Sequence, residues 1–220
     1  QNDDITIVGA GSAGLTLALL LAPLNLNIVV LEQGAAPSEQ QASHQRVSAL
    51  NLASQRVLAQ LGAWADIVKT ARPYTAMQVW DADSFARIEF NAQSERLDSL
   101  GWICDNEQIR LSLYNKLSQY SNVRFEFNCQ INSMQQGERD VLVNYNQQQL
   151  LLSRLLVGAD GINSMVRKVS QLPLTHWDYE QKAIVAIIQC AEPHQNVARQ
   201  VFLPSGPLAL LPLPDSHQCS

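Results

Sequence analysis

The chain is short of charge, of aromatic rings and of cysteine. Charged residues make up 16% of its 220 positions and aromatic ones 6%. Its net charge of −5 comes with no lysine- or arginine-rich stripe. That removes the electrostatic basis for gripping a phosphate backbone and argues against nucleic acid as a partner. Cys104, Cys129, Cys190 and Cys219 form no C-x-x-C pair. The expected state of all four is a reduced thiol. His44, His176, His194 and His217 are scattered without metal-ligand spacing, so no metal is expected. No nucleophilic triad is recognisable. The longest apolar run, residues 15–24, falls short of the roughly 20 residues that span a bilayer. The opening Gln1-Asn2-Asp3-Asp4 is polar and acidic, unlike a secretory signal. There is no internal repeat.

What is there is an apolar fraction of 46%, enough for a buried core. Ile5-Thr6-Ile7-Val8 reads as a short buried parallel strand that runs into glycines. Strong helix formers follow over 13–21 and stop at Pro23, and 27–31 is a second strand. Residues 35–45 read as a loop, and 48–61 as a helix closing at Gly62. Strands are expected at 77–80 and 87–90, joined by the hairpin turn Asp81-Ala82-Asp83-Ser84. Ile109, Leu113 and Leu117 mark one face of a helix over 106–117. Strands follow at 123–127, 141–145 and 150–157, then strand-like runs at 183–190, 200–203 and 208–213. The pattern is an α/β nucleotide-binding domain interrupted and followed by antiparallel sheet.

Two glycine motifs carry the chemistry. In Gly9-Ala10-Gly11-Ser12-Ala13-Gly14, Gly9 permits a tight turn, Gly11 lets the backbone approach phosphate, and Gly14 lets the helix pack on the strand. The free N–H groups of the helix start, at Ser12 and Ala13, favour an anion. Glu32, 18 residues after Gly14 and next to Gln33, is placed to accept hydrogen bonds from ribose hydroxyls, and its charge disfavours a 2′-phosphate. The second motif, Gly158-Ala159-Asp160-Gly161, ends another apolar run. Asp160 there suits either a sugar-like hydroxyl or the capping of a following helix, and Ser164 is a second candidate cap. A nicotinamide enzyme needs only the first motif, whereas an enzyme that grips FAD at both ends accounts for the pair.

With both motifs in place the chain resembles the flavin-dependent aromatic hydroxylases of the para-hydroxybenzoate hydroxylase type. Arg46-Val47-Ser48-Ala49-Leu50-Asn51, Leu61-Gly62-Ala63-Trp64, residues 173–179, residues 198–202 and Leu211-Pro212-Leu213 look like the FAD-dependent ubiquinone-biosynthesis hydroxylases. Among these the chain looks most like the bacterial 2-polyprenylphenol hydroxylases, which act at ring C5. The resemblance implies an α/β fold: a Rossmann-like, glutathione-reductase-like FAD-binding domain with an antiparallel β-sheet substrate domain, C-terminally truncated. The implied division is 1–72 with 101–171 for FAD, and 73–100 with 172–220 for the sheet. It implies that Asp160 and Gly161 approach the FAD ribitol or pyrophosphate. Arg46 would approach the phosphates or ribose, and Asn106 the flavin side.

The implied activity is a monooxygenase that uses NAD(P)H and O2 to hydroxylate a polyprenylphenol. Implied partners are that substrate and other ubiquinone-biosynthesis proteins, with a cytoplasmic location peripheral to the inner membrane. The family's third motif, a Gly-Asp-Ala near a helix start, is not found in these residues, so the chain looks like an N-terminal portion and is expected to be inactive as it stands. Rival readings are another FAD oxidoreductase of the same fold, such as a prenyl-lipid reductase or oxidase, and a non-catalytic flavin-binding module. Trp177 and Tyr179 suit the lining of a prenyl path or, better, packing. No catalytic base is assigned.

Overall fold

The computed structural model describes residues 2–38 and 46–220, so residues 39–45 of the expected loop, with His44, lie outside the described residues. The chain begins with β1 (Asn2–Val8), α1 (Ser12–Leu21), β2 (Ile28–Leu31), β3 (Val47–Asn51), α2 (Leu52–Gln60) and α3 (Trp64–Ile67). Next come β4 (Arg72–Tyr74), β5 (Ala76–Asp81), β6 (Arg87–Asn91), β7 (Gly101–Asp105) and α4 (Asn106–Leu117). After these are β8 (Val123–Glu126), β9 (Ile131–Gln136), β10 (Val141–Tyr145), β11 (Gln149–Gly158) and α5 (Met165–Val169). The last strands are β12 (Ile188–Gln189), β13 (Val197–Leu203), β14 (Gly206–Leu210) and β15 (Gln218–Cys219). Contacts gather these into two compact units, 1–38 with 110–181 and 39–109 with 182–220.

The first unit is a six-stranded sheet in the order β8-β2-β1-β11-β10-β9. β8, β2, β1 and β11 are parallel, and β10 and β9 extend the sheet antiparallel. A parallel strand covered on both faces must be apolar throughout, and β2, Ile-Val-Val-Leu, is buried at every position. From α1, Leu15, Ala18 and Leu19 are buried. Burial of a leucine side chain contributes about 1.5–3 kcal/mol. Val8, Val29, Leu31, Met134, Val143, Tyr145, Leu151 and Val166 form a core cluster. The chain leaves β1 for β2 on one side, while β11 lies on the other. Strand order therefore reverses at β1, and a crevice opens beyond the carboxyl ends of such strands. Both glycine motifs sit there, because Val8 is paired with Gly158.

The second unit has a four-stranded sheet, β14-β13-β5-β6, a three-stranded sheet, β3-β7-β4, and the ribbon β12-β15. Tyr74, Ile103, Ala198 and Leu213 form its core cluster. His194, 3% exposed, has Nε2 at 2.9 Å from the Leu213 carbonyl, and its Nδ1 accepts from Asn196 N–H at 3.0 Å, so the ring braces a loop.

Three expectations change here. The helix expected over 48–61 starts only at Leu52, where the Asn51 side chain accepts from Ser54 N–H at 2.8 Å. The residues before it are β3, because Ser48 pairs with Cys104 and Leu50 with Trp102 along β7, and cross-strand pairing outweighs helical spacing. Of the expected strand over 183–190 only Ile188–Gln189 pairs. Trp177 and Tyr179 do not pack into a core. They are 68% and 76% exposed and meet each other edge to face, with ring centroids 6.4 Å apart.

Candidate FAD site

Gly9 takes a φ of +107°, and a Cβ there would stand 2.3 Å from the Ala159 carbonyl oxygen. At Gly14 a Cβ would lie 2.0 Å from the Gly9 oxygen. These two glycines are required by the fold itself, since they let the turn, α1 and the second motif close on one another. Gly11 is different: among the described residues a Cβ there meets nothing within 4 Å. It is the N-cap of α1, no described side chain caps that helix end, and Gly11, Ser12 and Ala13 are all exposed. An open space facing uncapped N–H groups fits a pyrophosphate.

Glu32 follows β2 and reaches back to the turn. Its Oε2 accepts from Ala10 N–H at 2.6 Å and its Oε1 from Gly34 N–H at 2.7 Å. The carboxylate expected to meet a ribose is therefore also a brace of the glycine loop. Gly9, Gln33 and Asp160 line one cavity of about 320 Å³ together with Val8, Leu31, Cys129 and Asn163. Burial, and then the nearby carboxylates of Glu126 and Glu32, push the Cys129 thiol up to about 11, so it faces this cavity as a neutral group.

Both oxygens of Asp160 are engaged. One accepts from Ser164 Oγ at 2.5 Å, the other from Met165 N–H at 2.6 Å and Val166 N–H at 3.2 Å, while Ser164 Oγ accepts from Arg167 N–H at 3.0 Å. Asp160 and Ser164 thus cap α5 together. Gly161, with a φ of +77° and no described residue near its missing Cβ, leaves the backbone beside them open.

Arg46 and Asn106 belong to the second unit. Asn106 N–H donates to the Arg46 carbonyl at 3.0 Å, and its Oδ1 accepts from Ser48 Oγ at 2.6 Å. The capping of α4 falls instead to Asp105, whose side chain accepts from Glu107 N–H at 2.8 Å. That leaves the Asn106 amide free of a capping duty. Arg46 and Asn106 line a cavity of about 660 Å³ whose other walls include Ile184, Ile188, Leu208 and Leu210.

Sequence reasoning missed Arg110. One turn into α4, its Nε donates to the Ala10 carbonyl at 2.8 Å and its Nη2 to the Ala35 carbonyl at 3.0 Å. The one signal was a cation in the turn between Ile109 and Leu113.

Residues 2–202 match the family described as FAD binding domain, and the chain belongs to that family. The group it binds is FAD, and the open glycine turn fits that group's pyrophosphate. Among curated proteins, ubiquinone biosynthesis monooxygenase COQ6, mitochondrial, of Danio rerio is 36% identical over 232 residues, covering 97% of this chain and 48% of that protein. The 3-demethoxyubiquinol 3-hydroxylase of Escherichia coli (strain K12) is 30% identical over 221 residues, covering 98% and 56%. The chain spans about half the length of the curated relatives it matches. The crystal structure of p-nitrophenol 4-monooxygenase PnpA from Pseudomonas putida DLL-E4 shares the fold, with a TM-score of 0.76 at 18% identity over 100% of this chain and 57% of that one.

Proposed function

We propose that the protein to which this chain belongs is an FAD-dependent ring monooxygenase. It hydroxylates a polyprenylphenol intermediate of ubiquinone biosynthesis, with NAD(P)H as electron donor and O2 as oxygen source. The observation that carries this reading is the glycine turn at the reversal of strand order, with open space at Gly11 and Glu32 beside it. The relatives' names supply the substrate class.

In this reading FAD supplies the redox chemistry, and the chain's own residues bind and orient. The N–H groups at Ser12 and Ala13 hold the pyrophosphate. Glu32 accepts from the adenosine ribose, Gln33 lies beside it, and Gly161 gives backbone access while Asp160 holds α5 in place. Arg46 and Asn106, on the second unit's cavity, serve the flavin side, and the apolar wall of Ile184, Leu208 and Leu210 excludes water from the phenol. By function, 1–72 with 101–171 are the FAD-binding part and 73–100 with 172–220 the sheet part, although contacts group 46–72 and 101–109 with the sheets and 172–181 with the first unit. No described helix is long and apolar enough to cross a membrane. A prenylated substrate nonetheless partitions into lipid, so this reading includes a cytoplasmic enzyme in peripheral contact with the inner membrane.

The test is the full-length protein, purified and assayed with a polyprenylphenol, NAD(P)H and O2. Flavin absorbance and a product heavier by one oxygen are expected. NAD(P)H oxidation that ignores the phenol and yields no hydroxylated product would favour a reductase or oxidase. A protein that takes up no FAD would remove the reading altogether.

A further inference from the structure

Cys190 and Cys219 have no part in the candidate site, yet they lie side by side. β12 and β15 run antiparallel, with Ile188 opposite Cys219 and Gln189 opposite Gln218. The ladder continues one step further, where Cys190 N–H donates to the His217 carbonyl at 2.7 Å and His217 Nδ1 lies 3.2 Å from the Cys190 carbonyl. Cys190 therefore sits diagonally across from Cys219 on the same face of the ribbon. Both thiols are free. Cys190 is half-buried and Cys219 is buried.

We propose that Cys190 and Cys219 are a modification site, a disulfide made by hydrogen peroxide and undone by thiols. The Cys190 sulfur, the more accessible, attacks one peroxide oxygen. The O–O bond breaks, the sulfur becomes a sulfenic acid, and the thiol proton leaves with the other oxygen as water. The Cys219 sulfur then displaces the sulfenic hydroxyl, which takes the Cys219 proton and leaves as a second water. Two thiols lose two electrons and two protons, and one peroxide becomes two waters. The order follows from the surroundings: burial, and then the neighbouring Cys190, push the Cys219 thiol up to about 11, which makes it the poorer first nucleophile.

The bond has a mechanical effect. A disulfide brings Cβ atoms to about 3.5–4.5 Å, closer than a diagonal pair normally stands, so its formation draws the end of β12 onto β15. Ile188, two residues before Cys190 and opposite Cys219, and Ser220, next to Cys219, line the cavity that also holds Arg46 and Asn106. Oxidation therefore tightens one wall of that cavity.

The test is a peroxide titration of the reduced full chain, followed by alkylation under denaturant and peptide mass spectrometry. Cys190 and Cys219 are expected to leave the alkylated pool together and to appear as one linked peptide pair lighter by two hydrogens. Dithiothreitol should restore both. Buried Cys104, held up to about 12, and buried Cys129 should stay alkylatable at the same doses. In Cys219→Ser, Cys190 should accumulate as a sulfenic acid trapped by dimedone. Cys190 oxidised in the unaltered chain with no link to Cys219 overturns the proposal, as does a link that forms no sooner than oxidation of Cys104 and Cys129. None of these readouts involves FAD or turnover, so this proposal and the proposed function fail separately.

Discussion

In the first unit, the loop that ends β1 is held from three directions. Glu32 accepts from the Ala10 N–H, Arg110 donates to the Ala10 carbonyl, and the Ala159 backbone fills the space beside Gly9. In the second unit, the cavity with Arg46 and Asn106 is walled by exposed side chains: Ile184 is 92% exposed and Leu208 49%. A charged pyrophosphate needs donors fixed in direction before it arrives, because reorienting them costs binding energy. An apolar ring or tail asks only for surface removed from water. The contrast separates positions where the fold dictates the residue from positions where only a ligand does.

The largest effect should come from Gly14→Ala. Its Cβ would meet the Gly9 oxygen at 2.0 Å, and relief requires α1 to move off the sheet. A loss of about 3 kcal/mol is expected in denaturant unfolding, together with loss of FAD binding. A stability change below about 1 kcal/mol would show that the turn is not held as described.

Glu32→Ala removes the acceptor of two backbone donors and should cost about 1–3 kcal/mol, with weaker FAD binding in calorimetry. Glu32→Gln, which keeps one acceptor oxygen, should recover part of the stability. If FAD affinity were unaffected by Glu32→Ala, its ribose role would be lost while its bracing role stood.

Gly11→Ala sharpens the contrast most. Its Cβ has open space, so unfolding should change by less than about 1 kcal/mol, the scale of an N-cap preference. FAD affinity should fall about tenfold or more, which is about 1.4 kcal/mol. An equal loss in both measurements would erase the distinction between fold glycines and ligand glycines.

The smallest effect belongs to the open wall. Leu208→Ala should change unfolding by no more than about 0.5 kcal/mol, as for other surface positions, while raising KM for a prenylated phenol. A larger stability loss would mean that this wall is core after all.

The elements legible in the sequence were those set by neighbours along the chain. The run 5–8, the glycine turn, the helix behind it and the strand 28–31 depend on local periodicity and turn chemistry, and all appear in the structure. What escaped depends on distant partners. Ser48 has helical spacing but pairs with Cys104, and nothing near it in sequence reports that. Arg110 acts on a loop 100 residues away. Of the two roles open to Asp160, the structure shows the cap of α5, and a sugar contact requires a ligand to reveal it. That Asp105 rather than its neighbour Asn106 caps α4 follows from where β7 ends, which depends on its partners β3 and β4.

The Glu32 carboxylate has one further consequence. Each of its oxygens has two lone-pair directions, and one on each is committed to Ala10 or Gly34. The pair left over cannot swivel without releasing the loop. In the proposed ribose role a vicinal diol presented there would be gauged by the angle between its hydroxyls, so the side chain would work less as a charge than as a protractor, already set when the ligand enters.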